Sequence, residues 1–580
     1  MHCELIYINF DMYTRQKGGT RRKNTPLGTA VHRVHLVGPH PILQHFLDQM
    51  SFKQIVQSCL GQPREGLMDH SQTLSVLIQN IILSPAPLYR IAEWANPIAP
   101  SALGLSENEK LSLNDDRIAR SLDALVSVRA RSLFFRLALH IIKQFELDIQ
   151  RIHHDTTTVT FHGEYKSSSS EPQINYGINK DHRPDLKQLV FGLNVTADGA
   201  VPICHSVYSG NRTDDTIHRG NLDHLREILG RSDFIYVADS KLCTRKNLKH
   251  VTEYGGKFVT VLPRTRTEDK HFREMLRQGA RVRWRQLFKQ ENKRNKYGPP
   301  DIYWTTSDGP NETTEGYRIV WLRSSLKMKI DAQTREKSLR KAEAELEQLN
   351  NRLNRRHLRK QTAINKAVKA IVRTHGCEGF LKVSVTSQVE VKTKRLKRGR
   401  PSKNDPTIQE RIRIYRLESR RIKEMIRNES RTDGVFPMVT NLTSREKSKK
   451  DVLLIYKYQP YVEKRHCLFK TELGVAPVYI KKPRRAAGLV HATFLAMILD
   501  ALIERALRKG MMQEGIESLP ILPEGRFTKT PTTARLLEMF SGVSWYEFER
   551  GGETVTFPIQ LTALQRQLLR LLDIDPLVYS

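Results

Sequence analysis

Two aspartates in this chain stand inside or directly after segments that are typical of buried strands. Asp155 lies in RIHHDTTTVTFHG, residues 151–163, and Asp239 ends the apolar segment of IYVADSKL. An ionised carboxylate loses its hydration when it is buried, so it needs a compensating cation. Taken alone, each aspartate is better explained as a cap of a turn or of the following helix. Together the two residues indicate a metal site.

A third carboxylate lies in YKYQPYVEKRHCLFK, residues 456–470. Tyr456, Gln459, Glu463 and Lys470 follow in this segment at intervals that place them on one face of a helix. A proline within a helix costs about 3 kcal/mol, but the first turn tolerates it. We therefore predict that the regular helix begins near Pro460.

This spacing resembles that of the DDE transposases of the IS4 superfamily, whose catalytic helix carries Tyr, Arg, Glu and Lys. Tyr456, Glu463 and Lys470 match the pattern, and Gln459 stands where the pattern has Arg. Three further blocks are similar to the IS1634 branch of insertion-sequence transposases: HHDTTTVTF, NYGINKDHRPDLKQLVFGLNV and VADSKLCTRKNL. The resemblance extends over roughly residues 35–575.

The resemblance implies an α/β fold with an RNase H-like mixed-sheet catalytic core. It implies that Asp155, Asp239 and Glu463 are the catalytic, metal-binding triad, and that the cofactor is Mg²⁺, for which Mn²⁺ substitutes. Two divalent ions about 3.5 to 4 Å apart activate the attacking oxygen and stabilise the leaving oxygen of a phosphodiester displacement. Oxygen ligands suit magnesium. The implied activity is cleavage and strand transfer of double-stranded DNA.

The implied DNA partners are the terminal inverted repeats of an insertion sequence and its target, held by a homodimer that pairs the two ends. The residues predicted to contact DNA are Tyr456, Gln459, Lys470, Lys180, Arg183, Arg398 and Arg400. For Lys470, a solvated lysine is the alternative. For Lys180 and Arg183, in KDHRPDLKQ, a structural turn at Pro184 is equally compatible.

The run VKTKRLKRGRPSK, residues 391–403, contains Arg398 and Arg400 and resembles a hook that inserts arginines into a narrow minor groove. A solvated basic loop remains the alternative interpretation. The neighbouring pair His153 and His154 precedes Asp155, and histidines on a strand pack more often than they bind a metal.

Composition agrees with a polyanionic partner. Lys and Arg number 95 against 62 Asp and Glu, which gives a formal net charge of +33, and such an excess favours nucleic acid. No uninterrupted apolar run approaches the roughly 18 residues that a membrane span needs. The six cysteines form no CxxC pair, and no secretory signal is apparent. We therefore expect no membrane partner and a cytoplasmic, nucleoid-associated protein.

Changes in hydrophobic periodicity divide the chain into six predicted regions. These are an atypical or flexible start (1–34), a helical N-terminal domain that binds DNA or caps its neighbour (35–148), the first part of the catalytic core (149–267), an insertion (268–432), the second part of the core (433–515) and a C-terminal helical region (516–580). The insertion is predicted to be β-rich, with a helical hairpin over about 331–373.

Two other classes of protein are compatible with the same residues. One is another RNase H-like nuclease, such as a junction resolvase, which the Tyr/Glu/Lys helix fits poorly. The other is a non-catalytic DNA-binding protein derived from a transposase, which the three intact acids disfavour.

Overall fold

The computed structural model describes residues 31–580, apart from 62–67, 86, 128, 166–171, 293–297, 396–406, 475–479, 481 and 551–552. The chain divides into two compact units. Unit 1 comprises Met1–Phe258 and Tyr456–Ser580, and unit 2 comprises Val259–Ile455. The predicted insertion, 268–432, falls within unit 2, whereas the regions predicted as N-terminal domain and C-terminal helical region both belong to unit 1.

The described part of unit 1 opens with one strand and a series of helices. Asp69 caps the third of these helices by accepting from the backbone N–H of Gln72, whose side chain in turn accepts from the Asp69 backbone. The elements are β1 (Val31–Leu36), α1 (His40–Gln49), α2 (Phe52–Leu60), α3 (His70–Leu83), α4 (Ile91–Ala95), α5 (Glu107–Leu111), α6 (Asp115–Leu125) and α7 (Ala130–Gln144).

A mixed sheet follows in unit 1, and its strands carry the β-branched and aromatic residues from which they were predicted. The next elements are β2 (Arg151–Phe161), β3 (Lys187–Thr196), β4 (Pro202–Ser209), α8 (Asp214–Leu229), β5 (Ile235–Val237), α9 (Arg245–Glu253) and β6 (Lys257–Val261). The strand order is β4-β3-β2-β5. The pairs β4–β3 and β3–β2 are antiparallel, whereas β5 is parallel to β2.

Unit 2 contains most of β6 and a second group of strands, with two helices that form a hairpin. Its elements are α10 (Thr267–Arg277), β7 (Arg285–Gln290), β8 (Asp301–Thr306), β9 (Arg318–Ser324), α11 (Ser325–Arg352), α12 (Gln361–Thr374), β10 (Leu381–Arg395), β11 (Thr407–Arg421), α13 (Lys423–Ser430), β12 (Val435–Thr440) and α14 (Lys449–Tyr456). Strands β6, β12, β9, β8 and β7 are hydrogen-bonded neighbours in that order. Strands β10 and β11 form a separate two-stranded ribbon. Unit 2 thus contains both the paired helices and the strands that the sequence predicts for the insertion.

The chain returns to unit 1 through helices and a β-hairpin. These elements are α15 (Pro460–Thr471), α16 (Pro483–Gln513), α17 (Thr533–Glu538), β13 (Ser544–Arg550), β14 (Glu553–Phe557) and α18 (Ala563–Leu571). The helix predicted to begin near Pro460 begins at that residue, with proline in its first turn.

Two predictions at the chain ends need correction. Residues 31–34, predicted as part of an atypical or flexible start, belong to strand β1, which pairs antiparallel with β13. The region 516–580 is not wholly helical, since it contains the β13–β14 hairpin. Both errors have the same cause: a three-stranded sheet built from the two ends of a sequence has no local periodicity to reveal its pairing.

Helix α16 is the core helix of unit 1. By length and composition it is the one single helix in the described residues that passes a test for a membrane span, but 89% of its apolar window is buried inside the structure. Two glycines allow close approach of its neighbours. A Cβ on Gly488 would lie 2.3 Å from the carbonyl oxygen of Leu122 in α6, and one on Gly510 would lie 2.1 Å from that of Leu571 in α18.

We expect Gly510→Ala to lower the free energy of unfolding by about 1–3 kcal/mol, because the added methyl group must push α18 away. Gly220→Ala is the matched control, since Gly220 lies inside helix α8 with nothing within 4 Å of its added Cβ. That variant should gain about 0.5–1 kcal/mol from helix propensity. Chemical denaturation of both variants measures the difference, and equal effects would contradict the close helix contact.

Candidate functional site

The register of the parallel strands brings the two aspartates to the same level of the sheet. His153 of β2 pairs with Val237 of β5, so Asp155 and Asp239 each follow two residues beyond that pair. Parallel neighbours lie about 4.8 Å apart, and residues two apart point to the same face. The sheet itself therefore brings together the two aspartates that the sequence analysis assigns to one site.

Gln459 fixes the helix that carries Glu463 to the strand that carries Asp155. Its amide nitrogen donates to the backbone oxygen of His154 at 2.7 Å, and its amide oxygen lies 3.1 Å from His153 Nδ1. The side chain is only 5% exposed. Glu463 follows one turn later on the same helix face, so these bonds determine where its carboxylate lies relative to Asp155.

The acids are close enough to disturb one another electrostatically. The pKa of Asp239 is raised, first by burial and then by the charges of Asp155 and Asp214, while its bond to the Lys241 N–H opposes the rise. The pKa of Glu463 is raised by burial and by Asp155. Unneutralised negative charge of this kind is what a bound cation relieves.

Tyr456 stands next to the same group of acids. Its pKa is raised above the usual value by burial and then by the negative charges of Asp239, Asp155 and Glu463. The phenol is therefore neutral at ordinary pH. It lies near enough to all three members of the predicted triad to interact with their charges. Its expected contact with DNA stays a prediction.

Lys180 supplies a positive charge within this acid cluster. Its ammonium nitrogen lies 3.7 Å from Asp155 Oδ1 and 3.6 Å from Asp214 Oδ2. It also donates to the backbone oxygen of Thr156 at 2.5 Å and to its hydroxyl at 2.8 Å. The Thr156 hydroxyl in turn donates to Asp214 at 2.6 Å. In this structure Lys180 is bound to the acids themselves.

The other predicted DNA contacts in unit 1 have partners within the protein. Lys470 forms an ion pair with Asp181 at 2.8 Å, which joins helix α15 to the segment that carries Lys180. Arg183 pairs with Asp185 at 2.7 Å on the surface. The Gln459 amide is buried, and both its nitrogen and its oxygen contact β2, so in this conformation it holds the strand and does not face solvent.

Two residues that the sequence analysis did not single out lie at the site. Asp214 opens helix α8, and an acidic residue in a first turn is too common to draw notice. His466 lies one turn beyond Glu463, with its Nε2 3.8 Å from Asp155 Oδ2. Helical spacing from Glu463 would have placed His466 on the same face.

The chemistry of these donors fits a hard divalent cation. Four carboxylates, those of Asp155, Asp214, Asp239 and Glu463, interact electrostatically, and carboxylate oxygens are the ligands that Mg²⁺ prefers. Asp239 also caps the short turn Ser240–Leu242 by accepting from Lys241 N at 2.9 Å. In the conformation of the described residues, no three His, Cys, Asp or Glu side chains lie close enough together to hold a metal ion. The arrangement is an open cluster of acids.

The histidines beside Asp155 are packing residues in this structure. His154 is buried, with Nδ1 3.1 Å from Asn194 Oδ1, and burial lowers its pKa to about 3. His153 bonds to Gln459, and its pKa is about 4, mainly because of burial. Both rings are therefore neutral, as expected for histidines that belong to a core.

A second candidate surface is the ribbon of unit 2. Strands β10 and β11 pair from Leu381↔Arg421 to Arg395↔Thr407. At its base the ribbon packs on α11 and α12 through Leu381, Tyr415 and Leu417.

Further from that base, both faces of the ribbon are exposed. Val389 on one face is 60% exposed, and Lys392 on the other face is also exposed. Four basic residues lie on the same outer part: Lys392, Lys394, Arg411 and Arg413. A two-stranded ribbon has the width that the major groove of B-DNA admits. The predicted hook residues Arg398 and Arg400 lie outside the described residues.

A family model described as a domain of unknown function, DUF4277, matches residues 32–139. That match covers β1 and most of the N-terminal helices and does not include the three acids. No curated protein matches this chain. Among solved structures the chain is similar to piggyBac transposase in a synaptic complex with hairpin DNA, at 10% identity and a TM-score of 0.23, over 84% of this chain and 83% of that one. A TM-score of this size supports no conclusion about fold or activity.

The buried histidines make the free energy of unfolding of this protein depend on pH. His40, His218 and His491 have pKa values lowered to about 4, mainly by burial. In the unfolded chain histidine has a pKa of about 6.5. Between these values the unfolded chain binds more protons, so the free energy of unfolding falls as the pH drops through that window.

We expect His218→Gln to reduce that pH dependence by up to one proton, or about 1.4 kcal/mol per pH unit. Denaturant unfolding at a series of pH values from about 4 to about 6.5 measures the slope. An unchanged slope would mean that the His218 ring is protonated in the folded protein.

Proposed function

We propose that this chain is a DDE transposase of the insertion-sequence type, with an RNase H-like core in unit 1. The observation that carries the proposal is the convergence of Asp155, Asp239 and Glu463, which come from three separate parts of the sequence. A mixed sheet with one acid on β2 and a second two residues after the parallel strand β5 supports the fold assignment. The assignment to the IS1634 branch of the IS4 superfamily rests on the sequence blocks.

In this proposal Asp155, Asp239 and Glu463 hold Mg²⁺, or Mn²⁺ in its place. The bound ions supply activation of the attacking oxygen and stabilisation of the leaving oxygen. The chain itself keeps the carboxylates in position through the Gln459 bonds to β2. Lys180 places positive charge beside the acids, where a DNA phosphate would bind, and Lys470 lies on the same helix as Glu463 but is paired with Asp181.

The proposed partners are the terminal inverted repeats and the target DNA, with a homodimer pairing the two ends. The net charge of +33 supports a polyanionic partner. The ribbon of unit 2 is proposed as one DNA-binding arm, since its outer part combines basic side chains with the dimensions of a groove-binding element. A cytoplasmic, nucleoid-associated location follows from this proposal.

The triad is tested by single substitutions. Asp155→Ala, Asp239→Ala and Glu463→Ala should each reduce magnesium-dependent strand cleavage at least about a hundredfold, since even the outer partners of a metal site are worth 10–100-fold. Asp233→Ala is the matched control, because that exposed aspartate lies before the same strand, β5, that Asp239 follows. Cleavage of supercoiled DNA is measured, with circular dichroism to verify folding.

The outcome separates the candidate functions. Normal cleavage by any of the three folded variants would remove that residue from the triad. DNA binding by the unaltered protein without any cleavage in Mg²⁺ or Mn²⁺ would instead favour the non-catalytic DNA-binding protein.

The ribbon is tested through the salt dependence of DNA binding. Replacing Lys392, Lys394, Arg411 and Arg413 by Gln should lower the slope of log affinity against log salt by about 0.9 for each DNA phosphate that the variant no longer neutralises. The control replaces four exposed lysines on helices α11 and α12: Lys337, Lys341, Lys366 and Lys369. Equal slopes in the two variants would show that the ribbon does not bind the DNA backbone.

A further inference from the structure

The position of Lys180 raises a question that the proposed reaction does not answer. Its ammonium nitrogen lies within 4 Å of two carboxylates, Asp155 and Asp214. Asp155 is also the proposed metal ligand on the central strand. A cation that is bound to the same carboxylate as a metal ion must affect how that ion binds.

The Lys180 ammonium is held independently of the acids as well. Its bonds to the backbone oxygen and the hydroxyl of Thr156 are 2.5 and 2.8 Å long. The Lys180 backbone N–H donates to Thr158 Oγ1 at 3.2 Å, and the next residue, Asp181, is paired with Lys470. The segment that contains Lys180 and Asp181 is thus hydrogen-bonded to β2 and joined to α15 by an ion pair.

Asp214 contacts both Thr156 and Lys180. It accepts from the Thr156 hydroxyl at 2.6 Å and lies 3.6 Å from the Lys180 nitrogen. Its side chain is 24% exposed and that of Asp155 is 23% exposed, so solvent screens the acids only in part. Without a nearby cation, four carboxylates in this cluster would repel one another.

We propose that Lys180 is a positioning residue that offsets part of the negative charge of the acid cluster, and that it competes with the divalent ion for Asp155. This inference rests on the proposed metal-dependent function. Binding of the ion to Asp155 would require that carboxylate to give up its contact with the Lys180 ammonium. The Thr156 bonds keep the ammonium beside the site, where it can bind a DNA phosphate.

If Lys180 competes with the ion, its removal changes the Mg²⁺ affinity. A lysine that only binds phosphate would have no such effect. Removing the ammonium should strengthen Mg²⁺ binding, because the ion no longer has to displace another cation. Coupling between two such bound charges is commonly worth 5–150-fold, and we expect about tenfold tighter Mg²⁺ binding for Lys180→Met. A lysine that acts only on DNA would leave the Mg²⁺ affinity unchanged.

The experiment titrates the full-length protein with Mg²⁺ alone by calorimetry and follows thermal unfolding with EDTA or with Mg²⁺. Lys180→Met should bind Mg²⁺ about tenfold more tightly, and its Tm should be lower than that of the unaltered protein in EDTA but not in saturating Mg²⁺. Lys180→Gln, which keeps a donor for Thr156, should behave in the same way. Lys180→Arg, which keeps the charge, should retain the original affinity.

Lys187→Met is the matched control, because the Lys187 ammonium donates to the backbone oxygens of Glu164 and Tyr165 and not to the acids. Any decrease of Tm in that variant should be equal with and without Mg²⁺. Unchanged or weaker Mg²⁺ binding by both Lys180→Met and Lys180→Gln overturns the inference.

These readouts need no DNA cleavage, so they separate the inference from the proposed function. Loss of cleavage in Asp155→Ala together with unaltered Mg²⁺ affinity in Lys180→Met would leave the transposase proposal standing and remove the role of Lys180. Tighter Mg²⁺ binding by Lys180→Met together with normal cleavage by the triad variants would leave a Mg²⁺ site beside Lys180 and remove the assignment of the three acids to catalysis.

Discussion

The two hydrogen bonds between Gln459 and strand β2 are the contact on which the candidate site depends. They join residues that are more than three hundred positions apart in the sequence, and they do so immediately before Asp155. A buried amide without one of these partners would cost about 1–3 kcal/mol. Because Glu463 lies one helical turn from Gln459, the same bonds set the distance between two of the acids.

The electrostatics of the site follow from that geometry. The sheet register aligns Asp155 with Asp239, and helix α15 adds Glu463, so three negative charges are held near one another by the backbone. Three neighbouring negative charges repel one another unless cations bind beside them. Lys180 supplies one such cation within the protein, while burial first and the charge of Asp155 second raise the pKa values of Asp239 and Glu463.

Local patterns in the sequence were sufficient for most elements of the fold. The strands around Asp155 and the start of α15 at Pro460 follow from alternation, β-branched residues and the tolerance of a first turn for proline. The β1–β13 pairing was not predictable, since it depends on contacts between distant segments. Asp214 was also missed, because its role comes from Thr156 and Lys180, which only the folded chain brings to it.

The separation of the acids along the chain has a consequence for biosynthesis. Asp155 and Asp239 precede unit 2, whereas Gln459 and Glu463 follow it. A ribosome releases the chain from its N-terminus, so all of unit 2 is translated before helix α15 exists. Nascent chains and products of premature termination within unit 2 therefore carry the sheet without the third acid. The order of synthesis delays assembly of the acid cluster until all of unit 2 has been made.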